Sequence, residues 1–130
     1  MRSFHKFTIK AQEALQHAQD LAAQRNHGEF RGIHLLASLI VDDQSLVRPL
    51  LIKAGVNLES LDKSIEEELN KLPKIFAASN VAQLYLSQEL MQVLDRAGKT
   101  ALSQKDEFIS CEHLLLAILE IPSSAQAALE

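Results

Sequence analysis

The chain has 130 residues, of which 47% are hydrophobic, and its length suits one compact domain. Its net charge of −4 and the absence of a basic stripe give no support for nucleic-acid binding. No stretch approaches the roughly 20 apolar residues that span a bilayer, no signal peptide is evident, and one cysteine cannot form an internal disulfide. We therefore expect a cytoplasmic, all-α protein.

Four helices are predicted in the first half of the chain, over about 8–25, 32–41, 45–54 and 58–71. Thr8 and Asn57 are good N-caps for the first and last of them. Gly28 is expected to supply a positive φ after the first helix, and Pro73 ends the fourth. The histidines His5, His17 and His27 are expected on the surface.

Three more helices are predicted after a linker over about 74–86, namely 88–104, 111–120 and 124–130. Ser87 and Ser110 are the expected N-caps of the first two. The segment from Leu114 to Leu119 is apolar at every position, a pattern typical of a helix surrounded by others.

The two halves of the sequence repeat each other. Matching His34 to His113 sets an offset of 79 residues (113 minus 34), and other residues agree at that spacing. The matched pairs are Thr8 with Ser87, Leu15 with Leu94, Ala18 with Ala97, and Ala22 with Ala101. We therefore predict a tandem repeat of two four-helix units related by a pseudo-twofold axis, about 4–73 and 87–130. The last helix of the second unit is missing or truncated, so we expect a fragment of a longer protein.

Three patterns resemble chemical sites but are better explained by structure. Gly98-Lys99-Thr100 lacks the first glycine and the preceding strand of a phosphate-binding loop. Cys111 and His113 stand two apart on a helix and point to different faces, which argues against a nucleophile and base. His34 and His113 lack a second ligand at helical spacing, so each is expected to hydrogen-bond a neighbouring helix end instead of a metal.

The repeat and its motifs resemble the N-terminal domain of Clp ATPases, most closely the ClpB-type disaggregases. The resemblance covers essentially the whole chain. The motifs that carry it are Leu69-Asn70-Lys71-Leu72-Pro73, Tyr85-Leu86-Ser87, Leu94-Asp95-Arg96-Ala97, Lys105-Asp106-Glu107-Phe108-Ile109-Ser110 and His113-Leu114-Leu115.

This resemblance implies a non-catalytic, protein-binding module of a hexameric disaggregase that works with the DnaK chaperone system. Its clients are unfolded or aggregated proteins. ATP and Mg belong to other domains of such enzymes, no cofactor is expected in this one, and the isolated domain is expected to be monomeric. The resemblance also implies client-handling roles for Thr8, Asp106 and Glu112, beside an apolar groove near the first helices of the two repeats that includes Leu94.

Each of those residues also has a purely structural explanation. Thr8 is a helix cap, Glu112 complements a helix dipole and Asp106 solvates a loop. Two related functions stay open, namely adaptor docking by a ClpA- or ClpC-type unfoldase and binding of a sheath helix by a secretion-system ATPase. An enzyme within these residues is the remaining alternative, and it would need a convergent set of titratable groups.

Overall fold

Seven helices and two short strands make up most of the described residues, 6–41, 46–74 and 85–129 of the computed structural model. The helices are α1 (Ile9–Gln24), α2 (Gly32–Val41), α3 (Val47–Lys53), α4 (Leu58–Asn70), α5 (Gln88–Ser103), α6 (Cys111–Glu120) and α7 (Ser124–Leu129). The strands are β1 (Glu29–Phe30) and β2 (Tyr85–Leu86). Each helix agrees with its predicted range to within two residues, so the all-α fold is confirmed.

His5, the residues Asp42 and Asp43 that follow the predicted second helix, and most of the predicted linker, 75–84, lie outside the described residues. Within the described ranges, no helix has both the length and the apolar character that crossing a membrane requires.

The helix starts follow from the caps that the sequence supplies. The side-chain oxygens of Thr8, Asn57 and Ser87 each accept a hydrogen bond from the backbone N–H three residues on, at 3.1, 3.0 and 3.1 Å. Pro49 lies at the third position of α3, within the first turn, where its missing N–H costs no helical bond. Local sequence thus fixes where these elements begin.

The first helix of each repeat ends in the same way, and not as predicted. Asn26 and Lys105, which are 79 residues apart, both adopt a φ of 62°, whereas Gly28 is not among the positive-φ residues. The N–H of His27 then donates to Ala22 O at 3.0 Å, and the N–H of Asp106 donates to Ala101 O at 2.8 Å. Both ends are Schellman motifs, in which an asparagine or lysine replaces the usual glycine. This geometry places His27 and Asp106 at equivalent positions.

Short extended segments join the two repeats. β1 pairs in parallel with β2, so that Phe30 lies opposite Leu86, and Phe7 forms the equivalent bridge with Ile109. Accordingly, the N–H of Ser87 donates to Phe30 O and the N–H of Thr8 donates to Ile109 O, each at 3.0 Å. Each repeat therefore contributes the segment before its first helix to the other repeat, which confirms the pseudo-twofold arrangement.

The core is built around α2 and α6, with one correction to the prediction for α6. Leu114, Ala117 and Ile118 are fully buried. Leu116 and Leu119, however, are 41% and 42% exposed, so α6 is not surrounded on all sides. The apolar run overstated burial because the core needs only one broad face of a helix.

Candidate functional site

The two equivalent histidines cap their own helices. His113 Nδ1 accepts from the N–H of Ser110, and His34 Nδ1 accepts from the N–H of Arg31, both at 2.9 Å. In each helix the histidine at the third position thus accepts the hydrogen bond from the N-cap backbone N–H that glutamate or glutamine accepts in a capping box. The second ring nitrogen of each histidine contacts the end of the preceding helix, as the sequence predicted.

In the second repeat that contact involves Asp106. His113 Nε2 lies 2.9 Å from Asp106 Oδ2 and 3.1 Å from Gln104 Oε1. The Asp106 side chain remains 48% exposed. Asp106 therefore fixes the loop before α6 and still presents carboxylate surface to solvent.

In the first repeat the same position is occupied by His27, which the sequence wrongly placed on the surface. His27 is only 4% exposed, and its Nδ1 lies 2.8 Å from His34 Nε2. Burial, followed by the neighbouring cations of Arg25, Lys74 and Arg31, lowers the pKa of His27. The Schellman motif turns the residue back toward α2, where the His27 ring contacts His34.

The patterns that resemble other chemical sites have structural roles. α5 runs without a break through Gly98-Lys99-Thr100, so this segment forms no phosphate-binding loop. Cys111 is buried at the first position of α6, and both ring nitrogens of His113 are engaged by other residues. Across the described ranges, no three His, Cys, Asp or Glu side chains are grouped so as to hold a metal ion.

A groove of about 340 Å³ lies between the two repeats, and we call it the inter-repeat groove. Its lining consists of Phe7, Gln12, Leu15, Gln16, Gln19, Phe30, Leu86 and Leu94. Two pairs of lining residues are equivalent at the 79-residue offset, Phe7 with Leu86 and Leu15 with Leu94. The groove therefore straddles the pseudo-twofold axis.

The four predicted site residues divide into two groups. Leu94 lines the inter-repeat groove and is 3% exposed. Thr8, Asp106 and Glu112 are absent from that lining and lie around the segment that contains Ile109. Thr8 bonds the backbone of Ile109, Asp106 contacts His113, and Glu112 stands half-buried in the first turn of α6.

Sequence reasoning did not name the other lining residues. The 79-residue offset contained a signal for one of them, because Leu15 matches Leu94. Phe7 and Leu86 precede the two caps, and only the pairing of extended segments brings them to the same groove. The glutamines Gln12, Gln16 and Gln19 recur at helical spacing on α1 and resemble any solvated face in the sequence.

A second cavity of about 390 Å³ lies on another face of α1. Its lining is Lys10, Glu13, Ala14, His17, Ser38, Leu39, Val41 and Cys111. Lys10 and Glu13 bring charged side chains to the α1 side of this cavity, whereas the described residues that line the inter-repeat groove are all Phe, Leu or Gln. The groove is therefore the better match to an apolar polypeptide segment.

Comparing variants of Thr8 and Ser87, which are equivalent N-caps, tests whether Thr8 has a role in client binding besides its role as a cap. We expect Thr8→Ala and Ser87→Ala each to lower the free energy of unfolding by about 1 kcal/mol, since each removes one N-cap. Urea unfolding of the two variants measures this. If Thr8 also contacts a client, Thr8→Ala will weaken client binding, whereas Ser87→Ala, with a similar loss of stability, will not. Equal binding by both variants would contradict a client role for Thr8.

Comparison with known proteins places this geometry in a family. The family model described as the Clp repeat (R) N-terminal domain matches residues 6–130. The chaperone protein ClpB of Rickettsia bellii is 37% identical over 113 residues, which cover 87% of this chain and 13% of that protein. ClpB of Bacillus cereus is 37% identical over 117 residues, covering 89% of this chain and 14% of that protein. The chain thus spans a small part of the length of these relatives.

Solved structures show the same fold. The Hsp104 N-terminal domain from Candida albicans has a TM-score of 0.79 at 26% identity, covering 95% of this chain and 77% of that chain. The N-terminal domain of ClpV1 ATPase from the Escherichia coli Sci1 secretion system has a TM-score of 0.81 at 22% identity. The match covers 96% of this chain and 77% of that chain. A ClpV N-domain solved in complex with a VipB peptide has a TM-score of 0.74 at 21% identity, again covering 96% and 77%. The chain belongs to the Clp N-terminal repeat family, and its curated relatives are ClpB chaperones.

Proposed function

We propose that this chain is the non-catalytic, client-binding domain of a cytoplasmic, ATP-dependent disaggregase. In this proposal the inter-repeat groove engages exposed apolar segments of unfolded or aggregated proteins. The domain then passes them to a hexameric motor that works with the DnaK system and carries the ATP and Mg sites. The single observation that carries the proposal is the apolar groove on the pseudo-twofold axis.

The chemistry of the groove suits an unfolded polypeptide. Leu15, which is half-buried, and Leu86, which is 38% exposed, offer apolar surface that a client side chain can bury. Phe7, Phe30 and Leu94, by contrast, are at most 7% exposed. The glutamines carry no charge, and their amides can both donate and accept hydrogen bonds. Such a lining favours apolar segments without selecting for charge, as a protein that handles many clients requires.

The groove lining also argues against catalysis there. Among the residues that the structure describes, its lining has no titratable side chain, because each of those residues is Phe, Leu or Gln. General acid–base and nucleophilic mechanisms need at least one such group within reach of the substrate. Binding without chemistry is therefore the function that this groove supports.

The relatives add support at two levels. The curated relatives are ClpB chaperones, which favours a chaperone role for the protein that contains this domain. A ClpV N-domain has been solved with a VipB peptide, which supports peptide binding by the same fold. In our proposal Thr8, Asp106 and Glu112 act as polar contacts for the client chain beyond the groove. The exposed carboxylate of Asp106 is the clearest candidate among them.

Truncating Leu86 tests the groove directly. We expect Leu86→Ala to weaken binding of a reduced and alkylated, permanently unfolded protein roughly fivefold, since about 1 kcal/mol of apolar burial is lost. The matched control is Leu102→Ala, because Leu102 is 76% exposed and does not line the groove. Titration of the ¹⁵N-labelled domain, followed by NMR, measures the dissociation constant and the residues that shift.

The outcomes separate the competing functions. Shifts that cluster at Phe7, Leu86 and Leu94, with weaker binding only in Leu86→Ala, support client binding by the groove. Equal weakening by Leu102→Ala would contradict it. Binding to a folded adaptor or to a sheath-derived helix, with none to the unfolded protein, would favour the ClpA/ClpC-type or the secretion-system role instead.

A further inference from the structure

The two repeats contribute different side chains to the rim of the inter-repeat groove. Gln12 and Leu15 line the groove from α1. Their equivalents on α5, at the 79-residue offset, are Met91 and Leu94, and Leu94 lines the groove as well. Because the groove straddles the pseudo-twofold axis, Met91 faces it from α5 as Gln12 does from α1. Met91 is outside the lining itself, so it lies at the rim.

The start of α5 brings Met91 close to a residue that lines the groove. Ser87 is the N-cap of α5, so Leu86 immediately precedes the cap and Met91 is the fourth residue of the helix. Apolar side chains at these two positions pack together in a hydrophobic staple. The N–H of Met91 donates to Ser87 O at 3.1 Å, which closes the turn between them. Leu86 and Met91 thus form one apolar surface at this end of the groove.

The first repeat has no such surface at the equivalent place. There the two positions hold Phe7 and Gln12, and Gln12 Nε2 donates to Phe7 O at 3.0 Å. Phe7 is only 3% exposed, whereas Met91 is 47% exposed. The apolar surface that a client can cover is therefore concentrated on the α5 side of the groove.

Methionine gives this surface two chemical properties. Its unbranched, polarizable thioether adapts to differently shaped partners, which suits a site that binds many clients. An exposed methionine can also be oxidised to the sulfoxide, which is polar and disrupts apolar interfaces. The sequence has two methionines, Met1 and Met91, so oxidation at the groove can be assigned to one residue.

We propose that Met91 is a contact residue of the client site, and that its oxidation by a peroxide weakens client binding. The sulfur lone pair attacks one peroxide oxygen, so an S–O bond forms while the O–O bond breaks. The proton on the transferred oxygen passes to the leaving hydroxide, which gives water and the sulfoxide. The sulfur is oxidised and the peroxide is reduced. The polar sulfoxide then makes the α5 rim resemble the amide of Gln12. This inference rests on the proposed binding of clients in the groove.

The test compares the native chain before and after treatment with hydrogen peroxide. Peptide mass spectrometry confirms the addition of one oxygen atom at Met91, and the peroxide is removed before any client is added. Titration with a reduced and alkylated, permanently unfolded protein then measures the dissociation constant. We expect it to rise several-fold on oxidation and to recover after treatment with methionine sulfoxide reductases.

Three variants separate the role of Met91 from other effects of oxidation. Met91→Leu keeps the apolar rim without sulfur, so it should bind the client like the native chain and keep its affinity after peroxide. Met91→Gln recreates the residue of the first repeat, and it should bind as weakly as the oxidised chain. Leu102→Gln is the matched control, because Leu102 is 76% exposed on the same helix and does not line the groove. All three change exposed side chains, so their unfolding midpoints should stay close to that of the native chain.

The outcomes distinguish this inference from the proposed function. Unchanged client affinity after oxidation of Met91 would overturn the inference. So would an equal loss of affinity after peroxide in Met91→Leu, or equal affinities of Met91→Gln and Leu102→Gln. In these cases the untreated chain still binds the client, and the proposed function stands. A native chain that does not bind the unfolded protein at all would overturn both.

Discussion

Replacing Leu114 with alanine is expected to lower the free energy of unfolding by about 2–5 kcal/mol, among the largest effects of a single substitution in this protein. Leu114 is fully buried on α6, and its equivalent Leu35 is fully buried on α2. Removing most of the side chain leaves a cavity where these two central helices share the core. Urea unfolding should show a lower midpoint with an unchanged slope, because the surface exposed on unfolding hardly changes.

Leu116→Ala is the matched control for that experiment. Leu116 lies two residues away on the same helix but is 41% exposed, so its truncation creates no enclosed cavity. We expect a loss below about 1 kcal/mol. Equal losses in the two variants would show that α6 is buried on both faces in solution, contrary to the structure.

The exposure of Leu116 shows one limit of sequence reasoning. A run of apolar residues indicates a helix with a strong preference for the interior, but it does not show how many neighbours that helix has. The burial of α6 depends on which elements pack against it, and this is a property of the tertiary arrangement. The pattern correctly predicted the helix and overstated its burial.

The repeat was far more informative than any single element. Because His34 and His113 cap equivalent helices, one offset aligned the caps, the small residues and the core leucines of both halves. Equivalent residues of the two repeats even have the same backbone torsions, since Asn26 and Lys105 both have a φ of 62°. The same result explains why the prediction for Gly28 was wrong: Asn26 supplies the left-handed residue two positions before Gly28.

The groove was only partly predictable. The family resemblance implies a groove near the first helices of the two repeats that includes Leu94, and Leu15 is its equivalent at the 79-residue offset. Phe7 and Leu86 reach the groove through pairing between segments that are far apart in sequence, and no local pattern specifies such pairing. His27 was misplaced for a similar reason, because its burial depends on the turn that precedes α2.

Acidification is expected to destabilise the protein through His34. Burial, then the proximity of His27, lowers the pKa of His34 from 6.5 to about 4. The folded state therefore binds this proton less readily than the unfolded chain. The contribution is fully present above pH 6.5 and is lost as the pH falls toward 4, and it amounts to about 3 kcal/mol. Protonation at Nδ1 would also break the bond from the N–H of Arg31.

Carboxyl groups also titrate as the pH falls toward 4. The measurement is therefore the difference in the free energy of unfolding between the native chain and His34→Gln. Glutamine at the third helical position can still accept from the N–H of Arg31, as in a capping box, but it does not titrate. The free energy of unfolding of the native chain should fall relative to this variant by about 3 kcal/mol between pH 7 and pH 4. His17→Gln, which changes an exposed histidine on α1, should run parallel to the native chain. A native chain that instead runs parallel to His34→Gln would mean that His34 takes up its proton as readily in the folded state as in the unfolded chain, and His34 would then make no contribution that depends on pH.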